Sequence, residues 1–86
     1  MRVILLVEPD QAEREVLIDE CREVGLVVTI NDPHEACTVL HSLKFDLAIV
    51  GRERLAEPSF GVLFSTLRLI APHTKLLSFP LPSCPP

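Results

Sequence analysis

The chain reads as an α/β domain built on a parallel sheet, and three observations carry that expectation. Short apolar, β-rich runs recur at residues 3–7, 26–30, 46–50 and 75–79. Helix-start signals and apolar residues at helical spacing lie between them. The third run, Phe45-Asp46-Leu47-Ala48-Ile49-Val50-Gly51, is continuous and flanked by charge, as expected of a strand buried on both faces of a parallel sheet. In such sheets ligands and chemistry sit beyond the carboxyl ends of the strands, so the tip at Gly51 is the first place to look for function.

Taken in order, residues 3–7 give the first strand. Asp10, three residues before Glu13, resembles a capping-box helix start. Val16, Leu17, Cys21 and Val24 follow at helical spacing, and Gly25 suits the position that closes a helix. Residues 26–30 are rich in β-branched side chains and give the second strand. Asn31-Asp32-Pro33 stops it, with Asp32 as N-cap, Pro33 at the first helical position and Glu35 at the third. Ala36, Leu40 and Leu43 mark the buried stripe of the second helix. After the third strand, a charged loop over 51–58 is long enough to cover a strand tip. A third helix starts near Ser59, with Phe60, Leu63, Phe64, Leu67 and Ile70 on its apolar face, and ends before Pro72. Residues 75–79 give a short fourth strand closed by Pro80. Helical crossovers between buried strands imply parallel pairing with right-handed connections. The expected architecture is a flavodoxin-like, doubly wound α/β sheet truncated to about four strands and three helices.

The 86 residues allow one domain, placed at 1–79, followed by a proline-rich tail at 80–86 that is expected to be disordered. Hydrophobic residues make up 48% of the chain and aromatics 5%, so the core must be built from Leu, Ile and Val. A net charge of −4 with no basic stripe argues against nucleic acid as a direct partner. The N-terminal apolar run is cut by Glu8-Pro9-Asp10, too soon for a signal-peptide core or a membrane span, so no membrane partner is expected. Cys21, Cys37 and Cys84 are odd in number, widely spaced and show no metal-ligand spacing; Cys21 and Cys37 fall in helical patterns and suit free, buried thiols in a reducing cytoplasm.

The run Ile4-Leu5-Leu6-Val7-Glu8, the acid at Asp10, Asn31-Asp32 followed by Glu35-Ala36, and Asp46-Leu47-Ala48-Ile49-Val50 together resemble the receiver domain of two-component response regulators. The spacing agrees through Pro58-Ser59-Phe60-Gly61, and the resemblance covers residues 2 to about 79. It implies a module of phosphorelay signal transduction. In that family an aspartate ending the third strand accepts a phosphoryl group from a histidine kinase, and an acidic pair after the first strand holds Mg²⁺. A hydroxyl residue after the fourth strand and a lysine after the fifth read the phosphorylated state. In this chain the phosphoacceptor position falls on Gly51, which has no nucleophile, and the acidic pair falls on Glu8 and Pro9. The metal ligands implied by the resemblance are Glu8, Asp10 and the backbone of Glu53, a vestigial set. The switch hydroxyl falls on Ser78 or is replaced by Pro80, and the fifth strand and last two helices have no counterpart.

Each of these residues has a plainer reading. Asp10 caps a helix, Glu8 is a solvated strand-end acid, and Glu53 pairs with Arg52 or Arg54 in a solvated loop; against this, Arg52-Glu53-Arg54 would form a docking patch. His34, His41 and His73 have nothing to orient them as a site. Cys37 lacks a base and packs in the core, and Ser59 and Ser78 lack a nucleophile-elbow sequence. The favoured function is a receiver-like module that is not phosphorylated, is not an enzyme, needs no cofactor and acts by binding protein. The alternatives are a weakly active metal-dependent phosphoacceptor using Glu8, Asp10 and Glu53, and a decayed fragment without its own function. Ending the sheet at the fourth strand leaves an edge with unpaired backbone groups. A protein partner or a second copy is therefore expected there, with Leu76, Leu77 and Phe79 near the contact.

Overall fold

The computed structural model describes residues 2–79; the proline-rich segment 80–86, with Cys84, lies outside the described residues. The elements are β1 (Arg2–Val7), α1 (Gln11–Cys21), β2 (Gly25–Ile30), α2 (Pro33–Ser42), β3 (Leu47–Gly51), two 3₁₀ turns (Arg52–Ala56 and Pro58–Phe60), α3 (Gly61–Ile70) and β4 (Lys75–Phe79). The four strands form one all-parallel sheet in the order β2-β1-β3-β4. The central strands β1 and β3 carry the most completely buried runs, Ile4 to Val7 and Ala48 to Val50, which is why neither strand shows polar alternation.

Alternation of side chains across the sheet splits the core in two. On one face Leu5, Val7, Ala48 and Val50 meet Ala36 and Leu40 of α2 and Leu63 and Leu67 of α3, with Phe45 and Phe60 closing the ends. On the other face Ile4, Leu6 and Ile49 meet Leu17 and Cys21 of α1. Two helices cover the first face and one covers the second, so Leu47 and Leu77 at the β3–β4 end of the α1 face are only half-buried. Burial holds the Cys21 thiol above its ordinary pKa, with the charge of Glu20 adding to the effect; that thiol is inert packing rather than a nucleophile.

Both predicted N-caps form. The Asp10 carboxylate accepts from the Glu13 amide at 3.1 Å and that of Asp32 from the Glu35 amide at 3.3 Å, and Pro33 stands at the start of α2. Replacing Asp32 with alanine is expected to cost about 1 kcal/mol, read as a lower urea midpoint at unchanged slope.

Several expectations about the ends of elements need correction. Gly25 does not close α1, which stops at Cys21; it is the first residue of β2. It lies opposite Arg2, where a Cβ would fall 2.2 Å from the Arg2 carbonyl oxygen, so close backbone approach excludes a side chain there. Val16 and Val24 are exposed, the first on the outer side of α1 and the second beyond its end. Leu43 is exposed because α2 ends at Ser42 and Leu43 turns into extended backbone, taking it off the helical stripe. Ile70, the last residue of α3, is exposed and lines with Leu43 an open groove at the amino end of β3. The third helix begins at Gly61 rather than Ser59, because the preceding residues form 3₁₀ turns.

Candidate functional site at the ends of β1 and β3

Val7 and Val50 are partners in the β1–β3 ladder, so the next residues in each strand, Glu8 and Gly51, stand side by side where the sheet opens toward the loops. Glu8 is fully buried, the one charged residue so placed among the described residues. This corrects the expectation of a solvated strand-end acid. The Glu8 carboxylate crosses toward β3 and fills the space beside Gly51: a Cβ added at Gly51 would lie 2.1 Å from Glu8 Oε1 and 3.3 Å from Glu8 Cδ. The missing side chain on one strand thus makes room for the long one on its neighbour.

A buried carboxylate needs a counter-charge or hydrogen bonds. Glu8 Oε2 has both, accepting from Arg54 Nε at 3.1 Å and from the Asp10 amide at 2.9 Å. Oε1 is buried and has no hydrogen-bond partner among the described residues. Arg54 comes from the first 3₁₀ turn, and its Nη1 also donates to Glu57 Oε1 at 2.5 Å. The Glu57 hydrogen bond raises the guanidinium pKa most; burial opposes that effect, and the bond and charge of Glu8 add to it. The cation is therefore permanent at any pH the fold survives. Arg54 is thus no free docking residue but the counterion of Glu8.

Arg14 supports the same corner. Its Nη1 donates to the Glu8 carbonyl at 2.9 Å and to Asn31 Oδ1 at 2.7 Å, joining the first turn of α1 to the ends of β1 and β2. The exposed Glu13 carboxyl has a raised pKa, from desolvation first and then from the charges of Glu8, Glu53 and Asp10, with Arg54 opposing them. These acids therefore share one end of the molecule. They do not converge on a cation: among the described residues no group of three or more His, Cys, Asp and Glu is arranged to hold a metal. The donors do not fit Mg²⁺ either, since Asp10 is engaged as a helix cap, Gly51 offers no oxygen from a side chain, and a guanidinium already sits on Glu8. A hard dication takes six oxygens and would have to displace that guanidinium.

The other candidates stand apart from this corner. His34 and His41 are exposed on α2, where His41 Nδ1 lies 2.8 Å from the Cys37 carbonyl. His73 is exposed in the α3–β4 turn. Cys21 and Cys37 are free thiols, the first buried and the second half-buried. Ser59 is exposed, and Ser78 lies in β4, paired with Val50. Among the described residues no helix is long and apolar enough to cross a membrane. Compared with family models, curated proteins and solved structures, the chain matches none.

The residue that sequence reasoning missed is Arg54, along with its use of Glu8 across 46 positions of chain. A signal was present: a small residue and a large acid fall at equivalent ends of two adjacent parallel strands, so one can fill the space the other leaves.

Proposed function

We propose that the chain is a flavodoxin-like, receiver-type module of phosphorelay signalling that is not phosphorylated and acts in the cytoplasm by binding another protein. The observation that carries this reading is the Glu8 carboxylate, which occupies the space beside Gly51 and is neutralised by Arg54. A phosphoacceptor carboxylate must be reachable by the donor and able to take an in-line approach. Glu8 is fully buried and Gly51 carries no acceptor. The strand order β2-β1-β3-β4 and the placing of α1 opposite α2 and α3 support the architecture. Incubation of the purified chain with acetyl phosphate and Mg²⁺, followed by intact-mass measurement, is expected to show no added phosphoryl group. A stoichiometric adduct labile to hydroxylamine would overturn the reading in favour of a working acyl-phosphate site. Mg²⁺ titration followed by amide chemical shifts is expected to leave Glu8, Asp10 and Glu53 unmoved.

A further inference from the structure

The outer edge of β4 has the features of a strand acceptor. The Lys75 amide donates to the Asp46 carbonyl at 3.1 Å, toward β3. Alternation along a parallel strand then turns the N–H and C=O of Leu76 and Ser78 away from β3, and no described strand lies beyond. Each face beside this edge is hollow. On the α3 side an open groove of about 270 Å³ runs between Phe64, Arg68 and Leu76. On the α1 side another, of about 420 Å³, is lined by Arg2, Leu47, Lys75 and Leu77. Alternate residues of an added strand would enter the two grooves in turn, which is how strand addition gains specificity.

The charges state what the strand should carry. Arg2, Arg68 and Lys75 are exposed on either side of the edge and have no ionic partner among the described residues, in a chain whose net charge is −4. Asp46, the one acid in the grooves, accepts a hydrogen bond from the Val3 amide at 2.7 Å. In the segment 80–86 four of the seven residues are prolines, which have no N–H to donate to a ladder. A second copy presenting its own β4, Lys-Leu-Leu-Ser-Phe, would bring the same cations into the seam with only Asp46, already engaged by the Val3 amide, to meet them.

We propose that β4 takes an extended, acidic segment of another protein as a fifth strand. The inference rests on the reading of the chain as a binding module and names the partner's chemistry. The test uses the full chain and three labelled octapeptides: one alternating valine and threonine and carrying two glutamates, its counterpart with two lysines, and the glutamate peptide N-methylated at alternate residues. Fluorescence anisotropy is expected to give the glutamate peptide at least about tenfold tighter binding than either other peptide. Raising salt should weaken it, and Lys75→Glu with Arg68→Glu should reverse the preference. Hydrogen exchange should show added protection at the Leu76 and Ser78 amides on binding. Equal binding of all three peptides, no binding to the folded chain, or protection of those amides by self-association alone would overturn the proposal. None of these readouts depends on phosphorylation, so an adduct in the acetyl phosphate assay would remove the receiver reading and leave this result standing.

Discussion

Arg54→Ala is expected to destabilise the chain by about 3 kcal/mol, the low end of what removing one partner of a buried ion pair costs. The low end applies because the Arg54 side chain keeps 20% of its exposure, whereas that of Glu8 keeps none, so water screens part of the pair. The loss comes less from the attraction forgone than from leaving the Glu8 carboxylate buried with one amide and no cation. The carboxylate would then draw water into the strand ends, which loosens the 3₁₀ turn that Arg54 and Glu57 hold together. Arg54→Lys is not a conservative rescue, because one ammonium cannot reproduce the two directed bonds of the guanidinium. Glu8→Leu, which removes the burden on the other side, should cost much less than Arg54→Ala. In the double variant the Arg54 replacement should become nearly neutral. Urea unfolding of the four proteins forms a double-mutant cycle that measures this coupling directly. Additive effects would mean that the two side chains do not share an ion pair.

Gly51→Asp is the second large effect. On the proposed reading its purpose would be to supply a phosphoacceptor, but the geometry gives the opposite result. The new Cβ would lie 2.1 Å from Glu8 Oε1, so the Glu8 carboxylate must shift, and a second carboxylate enters a pocket that holds one cation. Overpacking of this kind costs about 1–3 kcal/mol before like-charge repulsion is counted. The variant is therefore expected to be less stable, with a lower urea midpoint, and to take up no phosphoryl group. Gly51→Ala isolates the steric part. Combined with Glu8→Ala it should recover most of the loss, because the added methyl then enters the space that the carboxylate vacates. If Gly51→Ala were neutral in the presence of Glu8, the side-by-side packing of these residues would be wrong.

Much of the fold was legible because its signals are local. The four apolar runs were strands, and the two Asp-led starts were helix caps; each depends on residues within one turn or one ladder step. Apart from Val16, on the outer side of α1, the misplacements fall at element ends. Leu43 and Ile70 match the apolar period of their helices, but the backbone stops turning at those points, and period alone does not register where a helix ends. The site was harder to see. Glu8 looks like any acid closing a strand, and Arg54 like one charge among three in a loop. Their pairing depends on the register that sets Val7 beside Val50 and on a 3₁₀ turn that swings Arg54 back over the strand ends. Neither is encoded within a short window, and a buried charge is the feature that a rule of polar residues outside will always misplace.

The counter-charge built into the strand ends has a consequence for how such a protein would carry information. A conformational switch needs two states and an input that favours one of them. With Arg54 already seated on Glu8 Oε2, the corner where an input would act carries its own counter-charge as soon as the chain folds. On the proposed reading, occupancy of the partner then follows mass action alone. The signal would be how much of the protein exists, set by synthesis and degradation, and the protein would serve as a dose rather than a switch.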